Sequence, residues 1–156
     1  MAISVELELG YEFTVKAGIK DVYDLVADVP RSVSHFPQVE RLDDLGGGAY
    51  RWEMQRVGTP QVSIQTVYAS QYTCDRKKGS VVWKPVPGVG NAQVGGSWKL
   101  SASKKGTRLQ LRIHGVAEVP LPALMKMVVV PVVQAEFEKL VETYIDNLIH
   151  EFGGEV

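Results

Sequence analysis

A chain of 156 residues is long enough for one domain with one hydrophobic core, and its 45% hydrophobic content is ordinary for a globular protein. We therefore expect a single domain over residues 1–156. A formal net charge of -1 gives no electrostatic reason to expect a nucleic-acid partner. The single cysteine, Cys74, cannot form an internal disulfide, and no Cys/His spacing is typical of a metal site, which favours the reducing cytoplasm and no metal.

The chain begins with a pattern that predicts a strand followed by two short helices. Apolar and polar residues alternate over residues 3–16, which is the period of a strand. Apolar residues then recur at helical spacing after Gly18 and predict a short helix. Pro30 and Pro37 bracket a second helical piece at residues 31–36, because proline fits the first turn of a helix and disfavours helix in the residue before it.

The middle of the chain, residues 39–118, predicts further antiparallel strands separated by glycine and proline turns. Turns are predicted at residues 46–48 and 58–60, where glycine and proline cluster. Strong alternation occurs in several segments, at residues 50–54, 62–72, 81–86, 94–100 and 107–118. With the first strand, these patterns predict an α+β fold with one antiparallel sheet of about seven strands.

The end of the chain predicts its one long helix. An apolar run starts at Ala123 and becomes amphipathic before it ends near Phe152, with a stripe facing the sheet at Phe137, Leu140, Val141, Tyr144, Leu148 and Phe152. Pro131 lies inside this run and is expected to bend or interrupt the helix. A single helix across one large curved sheet encloses more volume than side chains readily fill, so we expect a ligand cavity between them.

Three local phrases support this order of elements: YEFTVKA at residues 11–17, VYDLVADVP at 22–30 and HFPQV at 35–39. They resemble the opening of polyketide cyclase/dehydrase and coenzyme-Q-binding-like members of the START-like, birch-pollen-allergen-like superfamily. The resemblance covers nearly the whole chain. It implies a helix-grip fold, in which a curved sheet wraps around the C-terminal helix and encloses a hydrophobic pocket.

The same resemblance implies the classes of ligand and excludes one kind of chemistry. Members of the superfamily carry lipids, sterols, quinones or plant hormones, and a minority cyclise or hydroxylate aromatic polyketides. The oxygenase members hold iron through a His/His/carboxylate set that His35, His114 and His150 do not match in spacing. We therefore expect neither a metal nor another cofactor.

Aromatic residues at inner strand positions are the first candidates for ligand contacts. Tyr50, Trp52 and Met54 share one strand face, and we expect further contacts from Tyr68, Trp98 and Tyr144. Their alternative role is ordinary core packing, because aromatics and methionine also fill cores.

His114 is the candidate with acid–base chemistry. It precedes Gly115, and a glycine in a strand can mark a bulge that turns its neighbours inward. An inward His114 would act as a general base or bind a ligand carbonyl. The alternation with Gln110 and Arg112 instead favours the outer face.

The apolar segment at residues 121–133, which contains Met127, is expected to form one wall of the pocket entrance, with Met127 among the ligand contacts. Its alternatives are a homodimer contact or docking on a membrane. Its most apolar run, at residues 127–133, is too short to cross a bilayer, so no stable membrane insertion is expected.

These patterns predict binding or transport of a small hydrophobic molecule, and the resemblance implies a lipid, a quinone or a polyketide-like compound. The alternative is an aromatase/cyclase or dehydratase-type enzyme in which His114, Arg112 or a tyrosine moves protons. A second alternative is a protein-interaction module that meets its partner through the groove or the long helix.

Overall fold

The computed structural model describes residues 3–58 and 63–156 of the chain. The first strand, β1, spans Ile3–Val15, and two short helices follow, α1 at Ile19–Val26 and α2 at Val29–Val33. The second helix begins two residues before the predicted range of 31–36 and ends three residues before that range does. Its start is fixed by Asp28, whose side chain accepts a hydrogen bond from the backbone N–H of Arg31, so Pro30 falls in the first turn.

A seven-stranded antiparallel sheet forms the body of the fold, as predicted. The remaining strands are β2 Val39–Gly46, β3 Ala49–Met54, β4 Val57–Gly58, β5 Ser63–Ile64, β6 Val67–Asp75, β7 Ser80–Pro85, β8 Ala92–Ser103 and β9 Gly106–Val119. In the sheet the order is β1-β9-β8-β7-β6-β3-β2, while β4 and β5 pair separately. The segment predicted as one strand at residues 62–72 is therefore divided between β5 and β6. Residue 62 and most of the turn predicted at 58–60 lie outside the described residues.

The long helix, α3, spans Lys126–Glu151 after one 3₁₀ turn at Ala123–Met125. It continues through Pro131, so the predicted interruption does not occur. Proline cannot donate to the carbonyl of Met127, but this turn is exposed, and water can take the place of the missing donor. Within the described residues, no helix is long and apolar enough to span a membrane.

The two halves of α3 contribute differently to the core. The second half buries Val141, Tyr144, Ile145 and Leu148 against the sheet, whereas residues 126–140 bury only Val129. The end of the chain is held beside β1, because the backbone N–H groups of residues 16 and 17 donate to carbonyls of residues 154 and 152. The second half of α3 is therefore the half that anchors the helix in the core.

Candidate functional site

A chamber of about 480 Å³ lies between the sheet and the first half of α3. It forms where inner positions of β8 and β9 carry short side chains: Ala92 is opposite Ala117, and Val94 lies two residues further along β8. Short side chains on the sheet leave space that the helix above does not fill. This volume is in the range of small-molecule pockets. We call this space the outer chamber.

The walls of the outer chamber are mainly apolar. They comprise Leu7, Phe36, Met54, Ile64, Tyr68, Ala92, Val94, Ala117, Leu121, Met125, Val128, Val129, Val132, Val133, Phe137 and Leu140. The polar lining residues are Gln38, Gln55, Thr66 and Glu136. Among the described lining residues, Glu136 alone carries a charge, and it is exposed where the chamber meets solvent. The chamber is therefore suited to an apolar ligand.

A second, smaller space of about 50 Å³, the inner chamber, lies deeper in the core. The two chambers share four wall residues, Phe36, Tyr68, Val94 and Phe137. The inner chamber is also lined by Val26, Val29, Ser32, Val33, Trp52, Tyr72, Trp83, Trp98, Leu111, Ile113 and Tyr144. Aromatic rings thus dominate its walls.

The rings around the inner chamber pack edge to face and in stacks. Trp52 stacks on Tyr68 with ring centroids 5.4 Å apart, and Tyr72 stacks on Trp83 at 5.7 Å. Phe36 packs its edge on Trp52 at 5.5 Å and lies 5.1 Å from Tyr144. Such contacts hold each ring in one orientation.

Polar atoms of these rings are buried with the apolar ones. The hydroxyls of Tyr144 and Ser32 are hydrogen-bonded at 2.5 Å. The indole N–H of Trp52 is buried and has no hydrogen-bond partner among the described residues. It lies near the Tyr72 hydroxyl and lowers the pKa of Tyr72 against the larger rise that burial causes, but the two groups do not reach hydrogen-bond geometry. Unpaired buried donors are uncommon in folded proteins.

Burial also raises the pKa of the other chamber tyrosines. The pKa of Tyr144 rises to about 12, against a smaller lowering effect of its bond with Ser32, and the pKa of Tyr68 rises well above its usual value. Burial disfavours the charged tyrosinate. At neutral pH these hydroxyls therefore stay protonated and act as hydrogen-bond donors or acceptors rather than as bases.

Burial raises the pKa values of all six tyrosines, which predicts a delayed alkaline titration. At about pH 10, where a free tyrosine is half ionised, the native protein should show much less than half of the tyrosinate absorbance, and guanidinium should restore it. Because the folded-state pKa values exceed the unfolded ones, stability is fully present below about pH 10 and falls as the pH rises from there towards 12. Half-complete ionisation of the native protein at about pH 10 would contradict this assignment.

Several of the predicted site residues meet at these chambers. Met54 and Tyr68 line the outer chamber, and Trp52, Tyr68, Trp98 and Tyr144 line the inner one. The apolar segment at residues 121–133 also lies where it was expected, since it forms much of the helical wall of the outer chamber.

Three predicted site residues lie elsewhere. Tyr50 packs edge to face on Tyr72 at 5.8 Å and lines neither chamber. Met127 is 90% exposed on the side of α3 that faces away from the sheet. His114 is exposed on the outer face opposite Glu8, because pairing is continuous through Gly115 and no bulge reverses the alternation.

His114 instead borders a shallow groove of about 550 Å³ beside β1, together with polar groups such as Glu6, Glu8 and Glu138. Arg112 is exposed on the same outer face. Within the described residues, no cluster of three or more His, Cys, Asp or Glu side chains is arranged to hold a metal ion.

The sequence reasoning missed the small residues that create the outer chamber. Ala92, Val94 and Ala117 all fall at inner positions of adjacent strands and line the chamber. Small side chains at alternate positions on two strands are a visible signal, but it becomes informative only when the register between the strands is known.

Comparison with known proteins supports the fold. A START superfamily protein from Mycobacterium smegmatis superimposes with a TM-score of 0.69 at 12% identity, over 94% of this chain and 97% of that one. The Zhui aromatase/cyclase from Streptomyces sp. R1128 superimposes with a TM-score of 0.59 at 14% identity, over 93% and 90%. The di-domain ARO/CYC StfQ from the steffimycin biosynthetic pathway gives 0.57 at 19% identity, over 92% of this chain and 48% of that one.

No protein-family model and no curated protein matches the sequence. At identities this low, the structural likeness establishes the START-like helix-grip fold and leaves the activity to be argued from the site.

Proposed function

We propose that this chain, which has the START-like helix-grip fold, binds a small and predominantly apolar molecule in the outer chamber. The observation that carries the proposal is a space of about 480 Å³ whose walls are mainly apolar. Transfer of apolar ligand surface into such a space contributes about 25 cal/mol per Å². Transport of a lipid, quinone or polyketide-like molecule through the cytoplasm, by a monomer or a homodimer, is the extended form of this proposal.

The positions of the titratable groups favour binding over catalysis. His114 and Arg112, the residues expected to move protons in a cyclase or dehydratase, are exposed on the outer face of the sheet. The tyrosines at the chambers have raised pKa values, so they are poor bases at neutral pH. A general base must be within hydrogen-bond reach of the proton that it removes, which neither outer residue is.

The size and apolar lining of the outer chamber, which opens to solvent beside Glu136, favour a small-molecule ligand over a protein-interaction module. A module that grips a partner protein needs no apolar recess of this volume. The exposed side of the 3₁₀ turn and α3, which includes Leu124 and Met127, is the surface where we would place a homodimer contact.

Binding can be measured with the protein as purified. Native mass spectrometry without detergent, followed by denaturing extraction, is expected to release a neutral or weakly polar small molecule. The stripped protein is then expected to bind the apolar dye N-phenyl-1-naphthylamine at one site, with a rise in dye fluorescence. The absence of both a co-purified molecule and saturable dye binding would rule out the proposed function.

A further inference from the structure

The inner chamber contains a hydrogen-bond donor that the fold itself does not satisfy. Trp52 is only 7% exposed, and its indole N–H has no partner among the described residues. Tyr68 stacks on one face of the indole, and Phe36 packs its edge against it. The Tyr72 hydroxyl lies nearby but outside hydrogen-bond geometry. A buried donor left unpaired in this way points to an acceptor supplied from outside the chain.

The inner chamber is placed to receive that acceptor from a ligand in the outer chamber. Phe36, Tyr68, Val94 and Phe137 line both spaces, so the two chambers adjoin. Trp52 stacks directly on Tyr68, and their ring centroids are 5.4 Å apart. The space of about 50 Å³ is large enough for a carbonyl group and too small for a ring or a chain.

The charge of the lining selects the kind of acceptor. Among the described residues that line the two chambers there is no Lys, Arg or His. A carboxylate or phosphate in the inner chamber would therefore be a buried charge without a counter-charge, which is strongly unfavourable. A neutral carbonyl oxygen accepts from the indole and leaves no charge buried.

We infer that the ligand is an apolar molecule with a neutral carbonyl, such as a ketone, an ester or a quinone, whose oxygen accepts a hydrogen bond from Trp52 in the inner chamber. The apolar remainder occupies the outer chamber. This inference rests on the proposed function and specifies the class of ligand.

A matched pair of ligands tests the inference on the unmodified protein. The methyl ketone 2-undecanone, labelled with ¹³C at its carbonyl, is expected to show a carbonyl resonance shifted downfield from its position in hydrocarbon solvent, as hydrogen bonding requires. It should also displace N-phenyl-1-naphthylamine at least roughly tenfold more effectively than undecanoate of equal length, because the acid would bury its charge. These two readouts need no variant.

A matched pair of variants identifies the donor. Trp52→Phe should weaken ketone binding roughly fivefold to tenfold and return the carbonyl resonance towards its hydrocarbon position. Trp83→Phe is the control, since Trp83 also lines the inner chamber and is equally buried, but its nitrogen is not an unpartnered buried donor. It should leave the carbonyl shift unchanged. Dye affinity should stay within about twofold of wild type in both variants, since the dye occupies the outer chamber.

The outcomes separate the inference from the proposed function. If the dye binds but the ketone resonance is hydrocarbon-like, or undecanoate binds as well as the ketone, the proposed function stands and the inference is wrong. Equal losses in the two variants would also overturn it, because loss of packing would then explain both. If neither dye nor ketone binds, both proposals fail.

Discussion

Leu148→Ala is expected to lower the free energy of unfolding by about 2–5 kcal/mol, the range for truncating a fully buried leucine. Leu148 lies in the second half of α3 with no exposed surface and belongs to the hydrophobic core, so truncation to alanine leaves a cavity there. Urea denaturation followed by circular dichroism measures the change.

Leu124→Ala is the matched control for this substitution. It removes the same atoms from a side chain that is 96% exposed on the 3₁₀ turn, so the expected change is within about 0.5 kcal/mol. Comparable losses in the two variants would mean that the second half of α3 does not anchor the core.

Ala92→Phe is expected to weaken binding of N-phenyl-1-naphthylamine by at least about tenfold, or about 1.4 kcal/mol. Ala92 is buried at an inner position of β8 and lines the outer chamber, so a phenyl ring there occupies space that the ligand needs. The ring enters an existing cavity, and the midpoint of thermal unfolding should therefore stay close to that of the wild type. Fluorescence titration of the dye provides the measurement.

The neighbouring residue provides the control for this prediction. Gln93 is exposed on the opposite face of the same strand, and Gln93→Phe adds the same ring outside the chamber. Its dye affinity should equal that of the wild type. A dye affinity in Ala92→Phe as high as in Gln93→Phe would show that the ligand does not occupy the outer chamber.

Periodicity predicted the parts of the fold in which one side chain pattern repeats over many residues. The alternation in β1 and the apolar stripe of α3 each extend over several repeats, so one misleading residue does not change the conclusion. The boundaries of α2 were not predicted, because they depend on a single capping interaction at Asp28. The short apolar run around Trp83 does not by itself indicate which face of the strand is buried, although Trp83 is buried in the structure.

The candidate site was harder to predict because it depends on the register between strands and on the small size of some lining side chains. Trp52, Tyr68, Trp98 and Tyr144 were found as large aromatics at inner positions, yet the outer chamber exists because of small residues that have no distinctive pattern. The orientation of His114 depended on whether β9 contains a bulge, and only the pairing of β9 with β1 and β8 settles that question. No period in the sequence reports that an indole nitrogen lacks a partner.

The unequal burial of the two halves of α3 affects how the ligand preference of this protein can evolve. Residues that stabilise the fold, such as Val141 and Leu148, lie in one half, whereas Val128 and Val132, which line the outer chamber, lie in the other and are largely exposed. Substitutions at the latter positions alter the chamber with little effect on folding stability, since partly exposed side chains contribute little to the core. Ligand preference can therefore drift by single steps along one helix while the scaffold remains intact.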